Sequence, residues 1–188
     1  MIRTFNVLII LVTLCYAPAL AAPPEKEHEC RTLLRQRGEA LTARDHAALD
    51  RLAKQYLQDC KEVSDAEEYS MAYLDLAMAH MAVDDAAAAL EATERCIDVF
   101  YSNAFCHVYK TWALIDLKRS AEARAEFEIA EKLIGSLLEK NEKDLAAATE
   151  QQDKEWYAVT EENLKASRRL LETLRTKLHA LSDDEMEI

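Results

Sequence analysis

Glycine is nearly absent: Gly38 and Gly135 are the only two in 188 residues. Loops that cradle phosphate or present a nucleophile need glycine where the backbone turns left-handed or approaches a ligand closely, so this chain has little room for them. The corresponding motifs are missing as well, with no G-x-S-x-G, no phosphate-cradling glycine loop and no H-E-x-x-H. His28, His46, His80, His107 and His179 are spaced too far apart to mark a shared metal or a catalytic pair. The 35 acidic residues are numerous enough to form carboxylate pairs by chance, so none stands out as an acid and base. No catalysis, cofactor or metal is implied. A membrane-spanning run is lacking too: residues 5–16 are apolar, but about 20 such residues are needed to cross a bilayer.

That short run has another reading. Arg3 ahead of it and Ala19-Leu20-Ala21 behind it complete the pattern of a cleavable export signal over residues 1–21. Cleavage there leaves 167 residues with 22 basic and 35 acidic side chains, a balance of −13. Such a charge repels nucleic acid and anionic lipid headgroups and suits a basic partner. Alanine, leucine and glutamate dominate, which is the composition of an all-α protein. The length allows a single domain over residues 22–181, followed by an acidic tail at 182–188.

Residues 70–137 divide into two units of 34. With Ser70 and Ala104 in register, Tyr73, Leu76, Ala77, His80, Ala89, Thr93 and Cys96 fall against His107, Lys110, Thr111, Leu114, Ala123, Phe127 and Ala130. These spacings resemble the tetratricopeptide repeat, in which each unit is an antiparallel helical hairpin and several hairpins stack as a short solenoid. Asp84 and Lys118 stand where that family usually has a turn glycine. The resemblance implies a protein-binding surface on the first helix of each unit. Its positions here are Met71, Leu74, Asp75, Met78, Met81 and Ala82, then Phe105, Val108, Tyr109, Trp112, Ile115 and Asp116. Methionine beside aromatics makes an adaptable apolar groove, with Met71, Leu74, Met78, Met81, Phe105, Tyr109, Trp112 and Ile115 as its candidate contacts. His80 reads as a packed core residue.

Around the two units, helices are expected at residues 30–42 and, capped by Asp45, at 45–59, forming a capping hairpin with Cys30 at its first repeat position. The polar lead before residue 30 is expected to carry no helix. Ser64 or Asp65 should cap the next helix, and Ser120 the second helix of the second unit, which should end near Leu133. Beyond Gly135 the pattern changes to one helix with Leu137, Leu138, Leu145 and Ala148. A longer one follows, in which Thr160, Leu164, Ser167, Leu171, Leu174, Leu178 and Leu181 form a heptad-like seam.

Four cysteines follow the signal, an even number suited to disulfides in an oxidising compartment. If Cys30 opens one helix and Cys60 closes its antiparallel partner, both lie at one end of a hairpin. Cys96 and Cys106 flank a turn. The expected pairs are therefore Cys30 with Cys60 and Cys96 with Cys106, in preference to zinc held by Cys96, Cys106 and His107.

The expected function is an exported, periplasmic adaptor or assembly factor holding a peptide or helix of another protein, with no nucleic-acid or membrane partner once the signal is gone. The alternative is an immunity-type inhibitor that blocks a toxin or hydrolase in the same compartment. In either case the C-terminal helix, through Trp156, Leu164, Leu171 and Leu178, is a candidate to cover the groove from within.

Overall fold

The computed structural model describes residues 24–151 and 154–186, with side chains over 25–146, 161–162 and 164–180. The expected signal segment therefore lies outside the described residues, as do the side chains of Trp156 and of the tail. Every element among the described residues is helical: α1 (Pro24–Ala43), α2 (His46–Asp59), α3 (Ala66–Met81), α4 (Ala86–Val99), α5 (Ala104–Asp116), α6 (Ser120–Gln151) and α7 (Lys154–Met186). None of them is long and apolar enough to cross a membrane.

Helix starts follow from short polar side chains. Asp45, Asp65 and Asp85 each accept the backbone N–H three residues on, at 2.9, 2.8 and 3.1 Å. Asn103 accepts from Phe105 at 3.2 Å. Each such cap stabilises its helix by about 1 kcal/mol. Ser120, by contrast, is the first residue of α6 rather than a cap ahead of it.

The turns from α1 to α2, α3 to α4 and α5 to α6 are alike. Arg44, Asp84 and Lys118 take φ of 55°, 58° and 60°. In each case the following N–H bonds the carbonyl five residues back: Asp45 to Ala40 at 2.9 Å, Asp85 to His80 at 3.0 Å and Arg119 to Leu114 at 2.9 Å. This is the Schellman closure of a helix by one left-handed residue. From Arg44 to Asp84 is 40 residues and from Asp84 to Lys118 is 34, so α1–α2 is a hairpin of the same design with six more residues.

Consecutive helices pack antiparallel throughout. In addition the backbones of α3 and α5, and of α5 and α7, come close, whereas among the described residues those of α2, α4 and α6 do not approach one another so closely. The layer of α3, α5 and α7 is thus the tighter, inner one. Alanine at the crossings allows it, since Ala72, Ala77, Ala89, Ala113, Ala123 and Ala130 are all fully buried.

Two helices are longer than their sequence pattern implies. α1 begins at Pro24 instead of near Cys30, because proline suits the first position of a helix and Glu25 and Glu27 put negative charge in its first turn. α6 runs through Gly135 without a break. No proline or cap follows that glycine, and one glycine costs a helix only about 1 kcal/mol. Ile134, Leu137 and Leu138 therefore continue the face begun by Ala123, Phe127 and Ala130. α7 extends through most of the acidic tail to Met186.

The cysteines pair as their placement implies. Cys30 and Cys60 join α1 to the end of α2 with Cα atoms 5.7 Å apart, and Cys96 and Cys106 join α4 to α5 with Cα atoms 6.0 Å apart. Closing loops of 30 and 10 residues stabilises the fold by about 3.6 and 2.7 kcal/mol in the chain-entropy picture.

Candidate partner-binding face

The inner layer brings the eight candidate groove residues onto two neighbouring helices. Leu74 and Ile115 form buried floor, at 4% and 7% exposure. Met71, Met78, Met81, Phe105, Tyr109 and Trp112 are all half-buried. The row splits into two parts with different neighbours.

The first part is centred on the second disulfide. Met71, Met78, Phe105 and Tyr109 pack around Leu74, Cys96 and Cys106, so the sulfur bridge stiffens the platform beneath them. Asn103 fixes one end, donating to Ser70 Oγ at 3.1 Å and Met71 Sδ at 3.5 Å. Met78 also touches the α1–α2 core.

The second part is shared with the chain's own C-terminal helix. Leu178 packs with Ile115, Leu114, Ala113 and Leu90, alongside Met81 and Trp112. Leu171 and Leu174 pack with Ala104, Val108, Ala130 and Ile134, alongside Tyr109 and Trp112. Lys177 sets its ammonium 5.6 Å from the centre of the Trp112 ring, and Tyr109 meets Trp112 edge to face at 5.0 Å. Arg175 with Glu131 and Arg168 with Glu142 tie α7 to α6. The described part of α7 thus lies over the α5 half of the row, whereas the clusters around Met71 and Met78 include no described α7 side chain.

Asp75, on the same inner row, is not a free acid. Arg37 reaches across from α1 and donates to its carboxylate through Nε at 2.7 Å and Nη2 at 2.6 Å. Both side chains are about 95% buried, and the guanidinium also stacks on Tyr56 at 4.7 Å. Burial raises the pKa of Asp75, with Arg37 opposing it. The Tyr109 hydroxyl is raised likewise, by burial and then by Asp75. Sequence reasoning placed Asp75 but missed its partner. The available signal was Arg37 itself, which in the 34-residue register falls where Ala77 and Thr111 pack in the later units.

A second buried network lies where α5 meets α6. The His107 ring bonds Glu126 through Nδ1 and the Tyr101 carbonyl through Nε2 at 2.8 Å. Lys110 reaches the other Glu126 oxygen at 3.0 Å. Burial alone would raise Glu126, but His107 and Lys110 together hold it below the ordinary carboxylate value. At 1% exposure His107 is walled off from any substrate, so this network braces a helix pair. His80, half-buried, lies 3.9 Å from Asp50 and 4.0 Å from Asp85 at the α3–α4 turn. Among the described residues no three His, Cys, Asp or Glu side chains converge to hold a metal ion.

No family model matches this sequence, and neither a curated protein nor a solved structure is similar enough to match it.

Proposed function

We propose that the chain is an exported, tetratricopeptide-like binding module that holds a segment of another protein along its inner helical layer. One observation carries this reading. Met71, Met78, Met81, Phe105, Tyr109 and Trp112 stand in register on two successive hairpins, each left half-buried above a buried floor. Flexible thioethers beside aromatic rings suit an apolar helix or extended segment, and the two disulfides keep the platform rigid before binding, which lowers the ordering cost of association. α7 lies along α5 from Ala104 to Ile115, so the stretch left for a partner is the α3 half around Met71 and Met78, where no described α7 side chain packs.

A second reading, an immunity-type inhibitor, draws on the exposed Glu91, Glu94 and Asp98 of α4 and the overall charge of −12. Such a surface would capture a basic enzyme quickly, with affinity falling as salt rises.

The two readings separate by binding measurements on a partner captured by the disulfide-bonded chain, at low and high salt. The inner-face reading expects Met78→Glu to weaken binding at least tenfold, with little salt dependence and with Glu91→Lys/Glu94→Lys unchanged. The inhibitor reading expects the reverse. Affinity indifferent to both Met71→Glu and Met78→Glu contradicts the inner-face reading.

A further inference from the structure

α5 and the α6–α7 hairpin part company at one place. Ala104, the first residue of α5, is buried with Ile134 of α6, and beyond that level α6 and α7 run on as a pair, held by Glu142 and Arg168. In the fork, Phe105 of α5, Leu137 and Asn141 of α6, and Ala166 and Ser167 of α7 line a half-open cavity of about 230 Å³.

The cavity has a cause in the sequence. α7 turns Leu164, Ser167, Leu171, Leu174 and Leu178 inward, all of them buried. Ser167 is the one position of the five that is not leucine, and Ala166 beside it is also small. The void therefore sits where the seam withholds a large side chain. Cavities of roughly 150 Å³ with apolar walls accept a benzene ring, so this one has room for a six-membered ring. Phe105, Leu137 and Ala166 supply apolar walls, and Asn141 and Ser167 supply hydrogen-bonding groups. Phe105 is also the end of the half-buried inner row, so the pocket and the row are continuous.

We propose that this cavity is an anchor pocket for the ring of one aromatic side chain, carried by the segment held along the inner layer. The assignment rests on the inner-face reading for its occupant, but the pocket's affinity for a ring does not. Phe105 offers an edge-to-face partner, and a phenol hydroxyl can meet Asn141 or Ser167. Aromatic side chains seated in pockets commonly dominate the energetics of such interfaces.

The test has two arms, both on the disulfide-bonded chain. In the first, p-cresol, the tyrosine side chain as a free molecule, is titrated while NMR follows Phe105, Asn141 and Ala166. Saturable shifts are expected in the wild type and at least tenfold weaker binding in Ser167→Leu, which fills the void. Ala166→Leu serves as the second filling variant should Ser167→Leu not fold. No saturable shift in the wild type, or equal binding in the filled variant, overturns the pocket. In the second arm, displayed peptides are selected on the wild type. The expected binders carry an aromatic residue whose replacement by alanine costs at least tenfold in Kd on the wild type and nothing on Ser167→Leu. Binders without that dependence overturn the anchor role. Shifts with p-cresol but no binders at all overturn the inner-face reading, and the anchor role with it, while the pocket itself stands.

Discussion

Arg37 and Asp75 are a buried ion pair joining the first hairpin to the second across 38 residues of sequence. Removing one partner of such a pair leaves a desolvated charge and typically costs 3–5 kcal/mol, whereas replacing both by apolar groups is often neutral. Arg37→Met should therefore lower the unfolding free energy by about 3 kcal/mol, and Arg37→Met/Asp75→Leu should recover most of it, as read by urea denaturation. Glu126 makes a separate, pH-dependent prediction. Its folded-state pKa is lowered, so its stabilising contribution is complete above the unfolded value, about 4.3, and is lost as pH falls through the folded one. Glu126→Gln should be less stable than wild type at pH 7, with the gap closing below about pH 4.3. Asp75, whose pKa is raised, acts with the opposite sign: its contribution is present below its unfolded value and lost as pH rises through the folded one. Neither network was legible from the sequence. Each depends on partners brought together by packing, and a chain with 35 acidic residues does not show which carboxylates are paired inside.

Helices were legible where local chemistry decides them. Asp45 and Asp65 as caps, the turns at Asp84 and Lys118, and the pairing of four cysteines all follow from spacing and from side-chain preference. The exceptions are α1 and α6, whose lengths turn on residues that permit a helix without demanding one. Both glycines lie inside those helices, and a Cβ added to either meets nothing within 4 Å. The three left-handed positions meanwhile hold arginine, aspartate and lysine, at a cost of about 1–2 kcal/mol each. Moving glycine from one kind of site to the other should stabilise the chain. Gly135→Ala is expected to raise stability by about 0.5–1 kcal/mol, and Lys118→Gly to raise it by about 1 kcal/mol, both measurable by thermal or urea unfolding.

At the scale of the molecule, the seven described helices pack as antiparallel neighbours, two disulfides fix the first hairpin and the α4–α5 junction, and the tighter layer carries the half-buried methionines and aromatics. The all-α architecture was readable from composition and register. The division of the inner row between α7 and open surface was not, because it depends on how a leucine seam on a distant helix lands on Val108, Trp112 and Ile115. The central claim, that the α3 side of this layer grips another protein, is tested most directly by a photo-crosslinking side chain placed singly at Met71, Met78, Glu91 or Glu94 of the full chain in living cells. The account predicts one common crosslinked partner from Met71 and Met78 and none from Glu91 or Glu94; crosslinks from the two glutamate positions alone would contradict it.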